Sequence, residues 1–229
     1  MKTNLLDIRH ADCMAMMREF PDKHFDLAIV DPPYGINADA NAHKNGVMCK
    51  ANGFREYRKT QWDAAIPDAK YFTELRRVAA AVVIWGGNYF PLQPTPCWLI
   101  WDKGQRDFSF ADAELAWTSF DSAVRIVTIH RSTANTDGER IHPTQKPVAL
   151  YRWLLANYAK PGDTILDTHL GSGSSAIACH YAGHHLTACE LDADYYKDAC
   201  ERIDRETRQQ TLFPTANKEE TYETAALAI

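Results

Sequence analysis

Thr164-Ile165-Leu166-Asp167-Thr168-His169-Leu170-Gly171-Ser172-Gly173-Ser174-Ser175 reads as a strand, a turn with two glycines and the start of a helix. Gly171 and Gly173 let backbone approach a ligand where a Cβ would collide, and the helix start offers unpaired N–H groups. The next strand-like run, His185 to Glu190, ends in an acid about twenty residues beyond Asp167, placed to accept both hydroxyls of a ribose. A two-glycine turn by itself also serves geometry alone. The acids at both strand ends tip the reading toward an adenosine-type cofactor site. The third glycine of a dinucleotide fingerprint is missing, which favours S-adenosylmethionine over NAD.

Outward from this unit, short apolar runs bounded by turn residues predict strands at Asn4–Ile8, Phe25–Val30, Ala80–Trp85, Trp98–Trp101, Glu114–Thr118, Val124–Ile129, Thr164–Leu166 and His185–Glu190. Apolar residues at three- and four-residue spacing predict helices at Met14–Phe20, Ala69–Ala79, Pro147–Ala159, Ser174–Ala182 and Ala193–Glu206. Strands alternating with helices imply an α/β fold, a mainly parallel sheet with helices on both faces. Residues 1–207 are expected to form one domain, with 36–63 a functional or mobile loop, 102–140 a small insertion, and 208–229 a tail.

Phe25-Asp26-Leu27-Ala28-Ile29-Val30 runs straight into Asp31-Pro32-Pro33-Tyr34-Gly35. A buried strand followed by two prolines sets a rigid turn at the carboxyl edge of the sheet, where ligands bind in open α/β folds. The turn presents a carboxylate and carbonyl acceptors, with no N–H donor from either proline, and a tyrosine ring beside them. That suits an amino group on an aromatic base, whose lone pair is delocalised into the ring. Accepting its two N–H bonds on Asp31 and the Pro32 carbonyl would draw the nitrogen toward a pyramidal, nucleophilic geometry. Tyr34 would stack on the base, a contact worth on the order of 1–3 kcal/mol.

Together the two motifs resemble the S-adenosylmethionine-dependent amino-methyltransferases of DNA, whose catalytic motif is (Asp/Asn/Ser)-Pro-Pro-(Tyr/Phe). The catalytic turn comes first here and the cofactor glycines late, an order similar to the circularly permuted β class that modifies adenine N6 or cytosine N4. His142-Pro143-Thr144-Gln145-Lys146-Pro147 is similar to that class's element preceding a helix and helping to hold the cofactor. The resemblance implies a Rossmann-like methyltransferase fold with Asp31, Pro32, Pro33 and Tyr34 catalytic. It implies a cofactor site made by Asp12, Cys13, Asp31, His142, Thr144, Gln145, Lys146, Asp167, His169, Gly171, Ser172, Gly173, Ser174, Glu190 and Leu191. In the unpermuted layout, Leu5–Ile8 would be strand three, Thr164–Leu166 strand one and His185–Cys189 strand two. Asp12 then either borders the cofactor's adenine or caps the helix from Met14. The family's Asp-Pro-Phe-x-Gly-x-Gly is broken by Thr168 and His169, which leaves open whether His169 packs, hydrogen-bonds or titrates.

The loop after Tyr34 holds Lys44, Lys50, Arg55, Arg58 and Lys59 against Glu56 alone between His43 and Lys59. Its position favours gripping DNA phosphates around an extruded base over a merely solvated face. Gly104 to Arg140, with Arg106, Arg125, Arg131 and Arg140, could add sequence readout, while Trp85, Trp98, Trp101 and Trp117 read as core. The six cysteines form no CxxC pair and no metal site is expected.

The 229 residues carry 25 Lys and Arg against 30 Asp and Glu, a net charge of -5. That excludes a protein that coats nucleic acid through bulk positive charge. The excess acid lies from Glu190 onward, so these segments are expected to face away from a duplex. The function expected is a site-specific adenine-N6 DNA methyltransferase of restriction-modification type, from a phage or bacterium. It would use S-adenosylmethionine on double-stranded DNA in the cytoplasm, with no membrane partner, and a homodimer is compatible with it. The alternatives are N4-cytosine specificity and a silent cofactor- or DNA-binding subunit.

Overall fold

A computed structural model describes residues 1–37, 63–106, 111–130 and 141–208. Its strands are β1 (Leu6–His10), β2 (Phe25–Val30), β3 (Ala79–Trp85), β4 (Trp98–Asp102), β5 (Ala113–Thr118), β6 (Arg125–Thr128), β7 (Thr164–Asp167) and β8 (His185–Glu190). Its helices are α1 (Cys13–Met17), α2 (Ala69–Val78), α3 (Val148–Tyr158), α4 (Ser174–Ala182) and α5 (Ala193–Arg208). All eight expected strands and five expected helices occur. The first strand runs two residues later than expected, because Asp12 caps α1 by accepting the Ala15 N–H at 2.8 Å and β1 fills the space up to it.

The strands form one sheet in the order β1-β8-β7-β2-β3-β5-β4-β6. Among the described strands only β5 runs against its neighbours, pairing antiparallel with β3 and β4. β2 pairs in parallel with β3 on one side and β7 on the other, Leu27 opposite Ile165 and Ala28 opposite Leu166. Side chains alternate across this central strand, and burial on both faces makes Leu27–Val30 a run of apolar residues. Leu27 and Ile29 pack with Leu154, Ile177 and Ile203 from α3, α4 and α5 on one face. Ala28 and Val30 pack with Met16, Phe72 and Leu75 from α1 and α2 on the other. β5 and β6, inside the stretch expected to be an insertion, are strands of this same sheet. Trp85, Trp101 and Trp117 are buried as expected, and Trp98 is half-buried.

This order sets the two sequence motifs side by side. β2 ends at the Asp-Pro-Pro-Tyr turn and β7 at Asp167, and the strands are hydrogen-bonded neighbours running the same way.

Candidate active site

Asp31 leaves β2 with both carboxylate oxygens engaged. Oδ1 accepts the Tyr34 hydroxyl at 2.6 Å and Oδ2 accepts the Lys146 ammonium at 2.5 Å. Lys146 also lies 3.1 Å from Glu114 Oε2, and Glu114 Oε1 is 2.8 Å from Lys103 Nζ. Two ammonium groups and two carboxylates therefore form one largely buried chain, neutral overall when Asp31 is ionised. Burial pushes the Asp31 carboxyl above its ordinary value, and Lys146 opposes this. Burial would raise Glu114 too, but Lys146 and Lys103 outweigh it and hold that carboxyl at about 2. Burial alone would lower the Lys146 value; Asp31 and Glu114 together raise it instead.

The turn itself is held from below by Asp63, a buried residue that sequence reasoning missed. Its Oδ1 accepts the N–H of Tyr34 at 2.6 Å and of Gly35 at 2.9 Å. Among the described residues no hydrogen bond reaches the carbonyl of Pro32 or Pro33, so both acceptors stay open. The Tyr34 ring is stacked on half-exposed Tyr89, with centroids 5.0 Å apart and planes 14° from parallel. Gly86 backs the same ring in a left-handed conformation, φ 68°, and a methyl group there would overlap the Tyr34 ring. Gly86→Ala is expected to cut catalysis by about tenfold or more and stability by about 1–3 kcal/mol, as overpacking at a fixed ring does. Thermal melting and an initial-rate assay check this; a variant matching the parent in both would show that the ring position is unimportant.

On the neighbouring strand the glycine turn opens into α4. Gly173, φ 79°, is the residue before the helix, and a Cβ there would sit 2.9 Å from Ile203 of α5. Buried Arg202 of α5 donates to the Ser172 carbonyl at 2.8 Å and the Ser174 hydroxyl at 3.0 Å, so α5 braces the turn from behind. Asp167 is buried, accepting the Ser175 hydroxyl at 2.5 Å and the His169 N–H at 3.0 Å. Burial without a cation pushes its carboxyl up to about 7, against those two hydrogen bonds. Glu190 accepts the N–H groups of Gly171 at 2.9 Å and Asp192 at 3.0 Å, tying the end of β8 to the turn. Burial raises its carboxyl as well.

Asp12 and Cys13 lie beyond the end of β1, which pairs with β8, and the Cys13 thiol is pushed by burial up to about 11. The sequence left Asp12 between an adenine contact and a cap; the cap is present. His142 is buried, its Nδ1 3.1 Å from the Thr144 hydroxyl and its ring 4.5 Å from that of Tyr195. Gln145 Oε1 accepts the Ile141 N–H at 3.1 Å. Lys146, read from the resemblance as a cofactor residue, donates to Asp31. Leu191 is largely exposed, and its carbonyl lies 3.0 Å from His10 Nε2. The basic residues Lys44, Lys50, Arg55, Arg58 and Lys59 lie outside the described residues, as do Arg131, Arg140 and the tail from 209.

A family model described as DNA methylase, N6_N4_Mtase, matches residues 84–201. Among curated proteins, the chain is 35% identical over 65 residues to the type II methyltransferase M.HpaI of Haemophilus parainfluenzae, spanning 28% of this chain and only 21% of that protein. It is 23% identical to the type II methyltransferase M.HinfI of Haemophilus influenzae over an alignment of 260 residues, spanning 89% of this chain and 70% of that one. Solved structures share the fold. The M1.HpyAVI–SAM complex matches with TM-score 0.57 at 16% identity, covering 87% of this chain and 100% of that one. PvuII DNA methyltransferase, cytosine-N4-specific, matches with TM-score 0.58 at 13% identity, covering 90% and 92%. A DNA modification methylase from Thermus thermophilus, complexed with S-adenosyl-L-methionine and titled as putative, matches with TM-score 0.54 at 16% identity, covering 90% and 96%. The matched family segment is more than half of the sequence, runs from the end of β3 through the glycine turn into α5, and shows that the chain belongs to the N6-adenine and N4-cytosine DNA methylase family.

Proposed function

We propose that this chain is an S-adenosylmethionine-dependent DNA methyltransferase of the circularly permuted β class that methylates the N6 amino group of adenine. The observation that carries it is the placement of an Asp-Pro-Pro-Tyr turn and a glycine turn at the carboxyl ends of adjacent parallel strands, β2 and β7. The strand order β1-β8-β7-β2 supports the permutation, because it is the three-two-one-four order of the unpermuted layout with the chain ends moved.

The residues suit the cofactor. Asp167 is a buried acid with no cation acting on it among the described residues, and a positively charged sulfonium nucleoside would offset the burial that raises its carboxyl. Glu190 and Asp12 add acids at the neighbouring strand ends, and would meet the ribose hydroxyls and the adenine. When bound, the cofactor supplies an electrophilic methyl group on sulfur.

Asp31 and the Pro32 carbonyl would accept the two N–H bonds of the target amine and hold its lone pair away from the ring plane. Each Asp31 oxygen makes one hydrogen bond in the structure and retains lone-pair capacity for another. Tyr34 would stack on the base after Tyr89 yields its face. The chain's own part in the transfer would be to present the amine's lone pair toward that methyl group, and the surplus proton would leave the amine through Asp31 or water. Lys44, Lys50, Arg55, Arg58 and Lys59 are proposed to bind the DNA backbone. Asp at the head of the motif favours adenine, since the cytosine-N4 enzymes it resembles more often carry serine there.

Incubating purified protein with double-stranded DNA and S-adenosylmethionine, then digesting to nucleosides for mass spectrometry, tests this reading. N6-methyladenine is the expected product. N4-methylcytosine would move the target to cytosine, and the absence of either would point to a subunit that binds without catalysis.

A further inference from the structure

We propose that a buried hydrogen-bond chain from Tyr71 through Thr168 holds His169 as its Nε2–H tautomer, and that this N–H donates to the adenosine part of the cofactor. The inference rests on the S-adenosylmethionine reading above. It concerns the two positions where the sequence departs from the Pro-Phe of the family's element.

Tyr71 projects from α2, and its hydroxyl lies 2.6 Å from Thr168 Oγ1. Thr168 Oγ1 is in turn 2.9 Å from His169 Nδ1. Both Tyr71 and Thr168 are buried, at 3% and 2% exposure, so the direction of each proton follows from what would be left over. Thr168 is the sole partner of the Tyr71 hydroxyl among the described residues. If Tyr71 did not donate, a buried O–H would be unpaired, at a cost of about 1–3 kcal/mol. With Tyr71 donating, the Thr168 proton goes to Nδ1. A ring nitrogen that accepts carries no hydrogen, so the neutral imidazole bears its hydrogen on Nε2. Burial keeps the ring neutral, lowering its value to about 4 against the pull of Asp12.

Orientation is fixed by packing as well. The Tyr71 and His169 rings meet edge to face, with centroids 5.4 Å apart and planes at 75°. No described residue bonds Nε2, and the ring is half-buried, two residues ahead of Gly171. Asp12, at the end of the outer strand β1, is the charge that acts on it. An Nε2–H beside the glycine turn would donate to an adenine ring nitrogen or ribose oxygen of a cofactor held there. A phenylalanine could pack there but could not donate. A proline at 168 would strip Tyr71 of its partner. The three residues therefore form one unit, with Tyr71 and Thr168 as positioning residues.

The test combines tautomer and affinity. In protein with nitrogen-15-labelled histidine, the His169 ring signals, assigned by their loss in His169→Phe, should show Nε2–H at neutral pH. Calorimetry with S-adenosylmethionine should show His169→Phe binding about 3- to 10-fold more weakly, the size of one hydrogen bond. In turnover the loss should fall more on KM for the cofactor than on kcat. Thr168→Val should mix the tautomers and weaken binding comparably, while Thr168→Ser restores both. Tyr71→Phe provides a second break in the chain should the valine variant fail to fold. An Nδ1–H or charged His169 overturns the proposal, and so does a His169→Phe protein that binds as tightly as its parent. A parent protein that binds no S-adenosylmethionine is a different result, and overturns the cofactor reading itself.

Discussion

Asp31→Ala is expected to reduce methyl transfer by about 10²- to 10³-fold or more, the scale found when one preorganised electrostatic partner of a reacting group is removed. Asp31 heads the turn as its ionisable acceptor, and the Pro32 carbonyl alone cannot hold both N–H bonds of an amine. Cofactor affinity should stay within about threefold, because Asp167 and Glu190 occupy other strand ends and keep their own hydrogen bonds. The protein should still fold. Lys146 keeps Glu114 at 3.1 Å, so the lost carboxylate leaves it with one partner rather than none. Asp31→Asn separates shape from charge, since its amide can accept on one oxygen only. Transfer of a radiolabelled methyl group to DNA, beside calorimetric cofactor binding, gives both readouts. An alanine variant as active as its parent would remove Asp31 from the mechanism.

The sheet was legible because its strands are short apolar runs with turn residues at both ends. Phe25–Val30 and His185–Glu190 agree with the structure to the residue, since Asp31-Pro32 closes the first run and Gly183 stands just ahead of the second. The reversed β5 was not legible. Ala113–Thr118 is equally apolar whichever way it runs, and its direction depends on how the chain returns from β4. The motif turns were readable because each carries its chemistry within a few residues. Their supports were not. Lys146 reaches Asp31 across 115 positions, Tyr71 reaches Thr168 across 97, and Asp63 reaches Tyr34 across 29. A lysine in a His-Pro-Thr-Gln-Lys-Pro run has no local property that distinguishes a cofactor ligand from a counter-ion. Only strand order decides which carboxylate it meets.

That counter-ion role makes Lys146→Met the second large effect. Methionine fills much of the same volume but removes the charge lying between Asp31 and Glu114, side chains that are only 4%, 19% and 24% exposed for Lys146, Asp31 and Glu114. Losing one partner of such a group costs about 3–5 kcal/mol, because the carboxylates left behind are desolvated without compensation. Glu114 keeps Lys103 at 2.8 Å; Asp31 keeps only the Tyr34 hydroxyl. The burial that already raises the Asp31 carboxyl then acts without the opposing ammonium, so its value climbs further. The sign follows from linkage. A carboxyl raised in the folded state costs least when the pH is low enough to protonate it in both folded and unfolded chains. The stability deficit should therefore grow as pH rises from the ordinary carboxylate range toward the raised folded value. Activity should move the other way: a protonated Asp31 is a poor acceptor, so the rising limb of the rate profile should shift to higher pH than in the parent. Lys146→Arg should recover most of the stability, since it keeps the charge, yet not the full rate, since a planar fork cannot sit where a single ammonium bridges two carboxylates. Thermal melts across pH, read beside pH–rate profiles of the three proteins, decide it: a methionine variant with unaltered stability and an unshifted profile would mean that Asp31 does not depend on Lys146.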